Sequence, residues 1–309
     1  MQSNQLPPDH VERMDRVRLA LDGLSIGDAF GGQFFIPANH RFLEMVGRAP
    51  APPWRYTDDT EMALGIAEVL EDIGHIDQER LAQVFALRYD RNMYRGYGAG
   101  AHQILSAIHR KKSWRKASSE AFGGMGSLGN GAAMRVAPIG AYFADDVEKV
   151  VEQARLSAEV THLHPEGIAG GIAIAVATAY AYRHRADAKS DTVKRGLIDE
   201  VLAHTPEGET RYGIAHASAI ELELSIETAA RLLGNGNKIT AMDTVPFTLW
   251  VASRHLDSYT NALWNTISAG GDVDTTGAIV GGIVVMATGR EGIPSDWLDF
   301  REDLQFRVK

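Results

Sequence analysis

Apolar positions along most of the chain recur at steps of three and four residues, which is the spacing of one face of an α-helix. The first such stretch covers residues 10–25, with apolar residues at Val11, Met14, Val17, Leu21 and Leu24. A Gly-rich segment at residues 27–32 predicts a turn, and the prolines between residues 37 and 53 predict a loop.

Further helices are predicted along the rest of the chain, and no stretch shows sustained period-two alternation bounded by hairpin turns. Their ranges are 59–73, 77–92, 98–110, 114–122, 130–143, 147–159, 165–185, 190–204, 209–222, 225–233, 244–254, 258–267 and 275–288. The pattern predicts an all-α protein. We expect residues 1–309 to form a single domain, with residues 1–9 as a flexible N-terminal extension.

Composition limits the possible functions more than it limits the possible folds. The 309 residues include 31 Lys and Arg against 40 Asp and Glu, a net charge of −9, which disfavours non-specific binding to nucleic acids. The absence of cysteine excludes disulfides, zinc–thiolate sites and thiol nucleophiles, and it fits a reducing compartment. Because no segment has the pattern of a signal peptide or a membrane span, we expect a cytoplasmic protein with no membrane partner.

Two acidic clusters stand out, each directly before an apolar helix. The first is Thr-Asp-Asp-Thr-Glu at residues 57–61, and the second is Gly-Gly-Asp-Val-Asp-Thr-Thr-Gly at residues 270–277. Asp and Thr cap helix N-termini, so capping alone explains either cluster. The other interpretation is a hard-cation site, because adjacent carboxylates and a hydroxyl are ligands that Mg²⁺, Mn²⁺ or Ca²⁺ prefer.

Two Gly-rich segments and a histidine pair are the other candidate features. Residues 122–135 carry five glycines and predict either a flexible loop or a cradle for an anion, helped by a helix beginning near Asn130. Residues 95–100, Arg-Gly-Tyr-Gly-Ala-Gly, predict a tight turn. Of the two histidines, His164 precedes Pro165 at a predicted helix start, and His162 is better suited to a ligand contact than to zinc.

Taken in order, several of these segments resemble the ADP-ribosylglycohydrolase family, which includes the enzyme that reactivates dinitrogenase reductase. The resemblance spans about residues 18–289 and implies a compact multi-helix bundle in which the two acidic clusters meet at a central two-metal site. The matching pieces are Gly-Asp-Ala-Phe-Gly at 27–31, Thr-Asp-Asp-Thr at 57–60, Gly-Asn-Gly-Ala-Ala-Met-Arg at 129–135, Thr-His at 161–162 and Gly-Asp-Val-Asp-Thr at 271–275.

The resemblance also implies roles for individual residues. Two divalent ions, Mg²⁺ or Mn²⁺, are expected on Thr57, Asp58, Asp59, Asp272, Asp274 and Thr275. Around residues 96–100 the chain is most similar to the subgroup that includes animal serine-ADP-ribose hydrolases. By that similarity the ADP-ribose contacts are expected to be Gly96, Gly98 and Gly100 along the distal ribose and phosphates, Phe122 on adenine, Gly126, Ser127 and Leu128 around the pyrophosphate, and Asn130 and His162 nearby.

The implied reaction is hydrolysis of the C1″ glycosidic bond of ADP-ribose attached to an arginine or serine of a protein, or to a small molecule. Asp58 or Asp272 would accept the proton of the attacking water. One departure is Phe35, which stands where many family members carry glutamate. It favours an alternative: an ADP-ribose-binding or immunity protein that neutralises an ADP-ribosylating toxin with little or no hydrolysis. A structural, crystallin-like role is disfavoured because the acidic motifs are intact.

Overall fold

Fifteen α-helices form the framework of the computed structural model, which describes residues 6–45 and 48–307 and contains no β-strand within them. The prediction of an all-α protein is confirmed. The helices are α1 (His10–Gly32), α2 (Asp58–Ile73), α3 (Gln78–Arg91), α4 (Ala99–His109), α5 (Trp114–Ser119), α6 (Ala137–Tyr142), α7 (Val147–Glu159), α8 (Pro165–Arg183), α9 (Asp191–His204), α10 (Glu209–Ser218), α11 (Ile226–Leu233), α12 (Ala241–Arg254), α13 (Tyr259–Ser268), α14 (Val273–Thr288) and α15 (Ser295–Phe300).

Helices α1 and α14 touch backbone to backbone at the centre of the core. A methyl group added to Gly27 would lie 2.0 Å from the carbonyl oxygen of Gly277, so no larger residue fits at that contact. The same close approach occurs one turn to either side, where the facing pairs are Gly23 with Gly281 and Gly31 with Val273. The pairs run in opposite order, so the two helices are antiparallel, and the C-terminal end of α1 lies beside the start of α14.

This contact corrects the turn predicted at residues 27–32, because α1 continues through them to Gly32. The prediction assumed that these glycines supply backbone freedom. None of Gly27, Gly31 and Gly32 has a positive φ, and the first two are needed for their missing side chains. The glycines therefore extend the helix contact up to the acidic clusters instead of ending the helix.

The helix predicted at residues 130–143 is also wrong in its first half. Residues Asn130–Ala132 form a single 3-10 turn, and α6 begins only at Ala137, with Pro138 in its first turn. The expected helix dipole at Asn130 is therefore absent. Helix α15 and the 3-10 turns over Pro37–Glu44 lie where no helix was predicted.

Small residues also allow α8 to lie within the core. Pro165 occupies its first turn, and most of the helix is buried against α7, α12 and α14. No helix in the described ranges combines the length and apolarity needed to cross a bilayer. The predicted N-terminal extension lies outside the described residues for positions 1–5, while Leu6 and Pro7 lie beside Gly74.

The chain after α15 packs across the segment that leads into α2. The backbone N–H of Trp54 donates to the carbonyl oxygen of Phe300 at 2.7 Å, and that of Glu302 donates to the carbonyl oxygen of Trp54 at 2.9 Å. On the other side of this segment, Phe30 stacks on Trp297 with ring centroids 4.6 Å apart. These contacts fix the polypeptide just before the first acidic cluster.

Candidate active site

A cavity of about 530 Å³ opens between the starts of α2, α4 and α14. It brings together nearly all the residues that the sequence singled out. Those lining it are Asp58, Asp59, Gly96, Gly98, Gly100, Phe122, Gly126, Ser127, Leu128, Asn130, His162, Asp272, Asp274 and Thr275. Thr57 is the one predicted site residue that is not part of its wall.

Thr57 lies behind the cavity, where it supports the first acidic cluster. It is the N-cap of α2 and accepts a hydrogen bond of 3.4 Å from the backbone N–H of Asp59. Its hydroxyl lies within hydrogen-bond distance of Asp28 Oδ1, at 2.9 Å, and of Asp59 Oδ2, at 3.0 Å. Capping therefore holds Asp58 and Asp59 at the cavity wall.

Asp28 anchors this cluster from α1, and the sequence analysis assigned it no role. Its carboxylate accepts hydrogen bonds from the backbone N–H groups of Thr57 and Thr60, and from the hydroxyl of Thr60 at 2.5 Å. Burial raises the pKa of Asp28 to about 6, although these hydrogen bonds favour the charged form. Its location in the matching Gly-Asp-Ala-Phe-Gly piece is the signal that was available in the sequence.

The second cluster stands at the start of α14. Asp272 makes no capping bond through its own side chain, and its Oδ2 accepts a hydrogen bond of 2.8 Å from Asn130 Nδ2. Asp274 accepts a hydrogen bond of 2.8 Å from the backbone N–H of Thr275. Helix capping therefore does not explain Asp272, whose carboxylate is held in place from a different segment.

The two clusters face each other closely enough to affect each other's ionisation. Burial raises the pKa of Asp58 to about 7, and the nearby carboxylates of Asp28 and Asp272 add to the shift. Burial and the surrounding carboxylates, including that of Asp274, hold the pKa of Asp59 well above its usual range. Burial and the carboxylate of Asp272 likewise raise the pKa of Asp274 well above its usual range. The convergence that spacing alone did not establish is present in the structure.

Another part of the cavity wall is glycine-rich and aromatic. The ring of Phe122 lies against Gly100, where an added methyl group would come within 2.6 Å of Phe122 Cζ. Phe122 has a φ of 55°, a left-handed conformation unusual for a bulky residue, and 52% of its surface is exposed. The tip of this ring therefore lies against Gly100, and about half of the residue remains open to a ligand.

The glycine loop is shaped by close backbone contacts. Gly126 has a φ of 76°, and an added methyl group would lie 2.7 Å from the backbone nitrogen of His164. Ser127 accepts a hydrogen bond of 3.2 Å from the N–H of Gly129. The backbone N–H of Asn130 donates to the carbonyl oxygen of Ile239, so residues 238–240 close the far side of this loop.

His162 and Arg135 form the buried floor. His162 Nδ1 lies 2.7 Å from the hydroxyl of Thr161, and burial together with the charge of Arg135 lowers its pKa to about 3. Burial lowers the pKa of Arg135 to about 9, which leaves the guanidinium charged near neutral pH. Arg135 and Lys238, both unassigned by the sequence analysis, are the cationic side chains at a wall otherwise rich in carboxylates.

Phe35 does not line this cavity. It is 56% exposed in a neighbouring groove, on the outer side of Thr57 and Gly96. The position at which the sequence resemblance implies a glutamate therefore lies outside the described cavity wall.

Comparison with known proteins agrees with the fold and the motifs. A family model described as ADP-ribosylglycohydrolase matches residues 9–307. The chain belongs to this family. ADP-ribosylhydrolase ARH3 of Homo sapiens is 30% identical to the glycohydrolase over 335 residues, which cover 92% of this chain and 88% of the human protein. The corresponding Danio rerio protein is 28% identical, with 96% of this chain and 91% of the relative covered.

A solved structure described as an ADP-ribosylglycohydrolase-related protein complex has the same fold. Its TM-score is 0.64 at 22% identity, and the match covers 94% of each chain. This similarity shows the fold; the family model and the human relative identify the protein as an enzyme, an ADP-ribosylglycohydrolase.

The acidic clusters of the glycohydrolase cavity offer oxygen ligands of the kind that divalent cations prefer. Across residues 6–45 and 48–307, no group of three or more acidic or histidine side chains is arranged to hold a metal ion with the side chains as they stand. The donors themselves fit: Asp59 Oδ1 is buried and has no hydrogen-bond partner, and the neighbouring carboxylates repel one another. A hard divalent cation would satisfy this oxygen and relieve the repulsion.

Proposed function

We propose that this glycohydrolase is a divalent-cation-dependent enzyme that hydrolyses the C1″ bond of ADP-ribose attached to serine or arginine of a protein, or to a small molecule. The single observation that carries the proposal is the composition of one cavity wall, which contains four aspartates and Thr275 together with the half-exposed aromatic ring of Phe122. A wall that contains both an acidic cluster and an aromatic ring suits a ligand that has a ribose at one end and adenine at the other.

The proposed binding mode places each part of ADP-ribose against the residues that suit its chemistry. Adenine stacks on the open face of Phe122, and the pyrophosphate lies along Gly126, Ser127 and Leu128. Gly96, Gly98 and Gly100 leave room for the distal ribose and the phosphates, with Asn130 and His162 beside them. A neutral His162 is consistent with a hydrogen-bonding role, because its pKa lies far below neutrality.

Two ions, Mg²⁺ or Mn²⁺, are the proposed cofactors, held by Thr57, Asp58, Asp59, Asp272, Asp274 and Thr275. When bound, they supply positive charge that orients the ribose hydroxyls and promotes ionisation of water. Thr57 is the least direct of the six, because its hydroxyl already contacts Asp28 and Asp59.

Asp58 is the preferred general base for the attacking water. Its carboxylate lies at the cavity wall, where it can accept a proton from a water molecule in the cavity. Asp272 is the second candidate, held towards the cavity by Asn130. Attack at C1″ breaks the bond to the leaving group through an oxocarbenium-like transition state.

The test is release of ADP-ribose from serine-linked and arginine-linked peptides with Mg²⁺, with Mn²⁺ and with a chelator. Asp272→Ala and Asp274→Ala should each abolish turnover and metal binding. Asp296→Ala is the matched control, because Asp296 is an exposed aspartate in the first turn of α15. Full activity in the Asp272 and Asp274 variants would refute the proposed site.

The same experiment distinguishes an ADP-ribose hydrolase from a protein that only binds ADP-ribose. If ADP-ribose binds by calorimetry while no linkage is cleaved, the protein is a binder or a toxin-neutralising immunity protein, and Phe35 is the first residue to revert to glutamate.

A further inference from the structure

A groove of about 510 Å³ lies immediately outside the cavity and shares one residue with it. That residue is Gly96, whose φ is 94° and whose backbone faces the proposed ligand cluster: a methyl group there would lie 3.5 Å from Asp58 Oδ1. Thr57 lines the groove, while the next residue, Asp58, lines the cavity. The backbone at residues 57–58 and at Gly96 therefore forms a ridge between the groove and the cavity.

The position of this ridge determines what lies beyond it. If adenine is at Phe122 and the ribose is at the acidic clusters, C1″ is at the end of the cavity farthest from adenine. The group attached to C1″ then leaves the cavity beside Asp58 and Gly96. The groove is the concave surface that begins there.

The groove differs chemically from the cavity. No carboxylate lines it, although the whole chain has a net charge of −9. Its apolar part is exposed: Tyr94 is 91% accessible, Phe35 56% and Ile36 50%. Exposed aromatic rings on a protein surface are typical of binding sites, where they supply contact area at a low cost in conformational entropy.

Its charge comes from two arginines, of which one is free. Arg95 is engaged by Glu302 and by the carbonyl oxygen of Tyr56. Arg55 is exposed and forms no ion pair with any described residue. An incoming carboxylate therefore finds an uncompensated guanidinium beside two aromatic rings.

We propose that this groove is the acceptor subsite, which binds the polypeptide flanking the ADP-ribosylated residue and selects segments that carry an acidic side chain next to an apolar one. The proposal rests on the proposed function and extends it to substrate choice. Arg55 pairs with the acidic side chain, and Phe35 and Tyr94 pack on the apolar one. A basic flanking segment gains nothing from Arg55 and is disfavoured.

A nucleic-acid end is the other anionic occupant with flat groups to stack. One free arginine in a chain of net charge −9 provides little attraction for a polyanion, so the observations favour a peptide. An ADP-ribosylated oligonucleotide is accordingly included in the experiment as the competing substrate.

The experiment compares substrates that share ADP-ribose and differ only in what is attached to C1″. These are ADP-ribose linked to a single free amino acid, the same linkage within a peptide with acidic and apolar flanks, within a peptide with lysine flanks, and within an oligonucleotide. The enzyme variants are Arg55→Glu and Tyr94→Ala. Their controls are Arg110→Glu and Tyr212→Ala, which alter exposed residues outside both the cavity and the groove.

Arg55→Glu and Tyr94→Ala should each lower kcat/KM for the acidic peptide by about tenfold and leave the single-amino-acid substrate within about twofold of wild type. Arg55→Glu should also raise kcat/KM for the lysine-flanked peptide. Unchanged turnover of the small substrate shows that each variant is folded and active.

Three results would overturn the acceptor subsite. Equal losses on the small substrate and the peptide would make these residues structural, no loss on either would remove them from recognition, and better turnover of the oligonucleotide than of any peptide would reassign the groove. Failure of the wild-type enzyme to cleave even the small substrate is different, because it refutes the proposed function itself.

Discussion

Asn130 holds the carboxylate of Asp272 from outside the helix on which Asp272 stands. Its Nδ2 lies 2.8 Å from Oδ2 of Asp272 and 3.1 Å from the hydroxyl of Thr244, so both protons of the amide are used. A carboxylate fixed in this way has little rotational freedom to lose when it binds a cation or a sugar hydroxyl.

Replacing Asn130 with alanine should therefore lower metal affinity or kcat/KM by about 10- to 100-fold, the usual effect of removing a residue that orients a ligand. Calorimetric titration with Mn²⁺ and steady-state kinetics measure the two quantities. Thr244→Val is the control, because it removes the other partner of the amide and keeps the bond to Asp272. Equal losses in both variants would contradict an orienting role for Asn130.

The buried carboxylates predict a pH-dependent response to metal. Burial raises the pKa of Asp28 to about 6, and burial together with repulsion from Asp28 and Asp272 raises that of Asp58 to about 7. The folded protein therefore retains protons that the unfolded chain releases above about pH 4. This stabilising contribution is complete at low pH. The free energy of unfolding of the metal-free protein therefore falls as pH rises through about 4 to 7.

Because cations bind the ionised carboxylates, the rise in Tm on adding Mg²⁺ or Mn²⁺ should be small near pH 5 and several degrees near pH 8, on the order of what ligand binding provides. Calorimetric melting with and without the ion, at both pH values, measures this difference. Asp58→Asn should flatten the pH dependence, and a metal-induced rise in Tm that is the same at both pH values would count against the assignment.

The contact between α1 and α14 predicts a large difference between two glycines. A methyl group on Gly277 would lie 2.4 Å from the carbonyl oxygen of Gly27, so Gly277→Ala should force the helices apart and lower the free energy of unfolding by about 1–3 kcal/mol. Gly32, at the end of α1, has its nearest neighbour at 3.8 Å. Gly32→Ala should be neutral or stabilising by up to about 1 kcal/mol. Urea denaturation separates the two, and similar losses would disprove the close contact.

Glu302 predicts an effect on substrate binding from the chain's C-terminal end. It accepts a hydrogen bond of 2.9 Å from the N–H of Tyr56 and pairs with Arg95, whose own carbonyl oxygen accepts from the N–H of Asp58 at 2.8 Å. Glu302→Ala should loosen the ridge at Gly96 and raise KM by about tenfold, with a smaller change in kcat, because a hydrogen bond to a charged group contributes about 1.5–3 kcal/mol.

Glu302→Gln is the informative companion variant. It keeps an acceptor for Tyr56 and loses only the charge opposite Arg95, so its KM should lie between those of wild type and Glu302→Ala. If both variants lower kcat and leave KM unchanged, Glu302 acts on the chemistry and not on the position of the ridge.

The sequence predicted the all-α fold and most of the cavity wall, because helix periodicity and the motif residues are local features. Thr57 illustrates what local reasoning achieves. The first acidic cluster was expected either to cap a helix or to bind a cation, and Thr57, expected as a ligand, is observed as the cap of α2, with its hydroxyl directed to Asp28 and Asp59. The two interpretations of the first acidic cluster were not exclusive, since capping is what holds its carboxylates at the cavity.

The features that were missed depend on contacts between distant segments. Asp28 becomes the anchor of the first cluster only when α1 packs on α2. The residues next to Asp28 in the sequence do not indicate that its carboxylate accepts hydrogen bonds from the N–H and hydroxyl groups of Thr57 and Thr60. Gly27 was assigned to a turn because a glycine needed for space has the same letter as one needed for a positive φ. The early start predicted for α6 fails because Pro138, which suits a helix's first turn, marks the start that helical spacing alone did not locate.

The glycine contact between α1 and α14 also has a consequence for how the protein is made. It joins the first described helix to the last long one, so the loop that must close before either acidic cluster meets the other includes most of the polypeptide. Contacts of such long sequence separation form slowly. A nascent chain on the ribosome therefore holds half a catalytic centre until α14 has emerged, and enzymatic competence is among the last properties that this protein acquires.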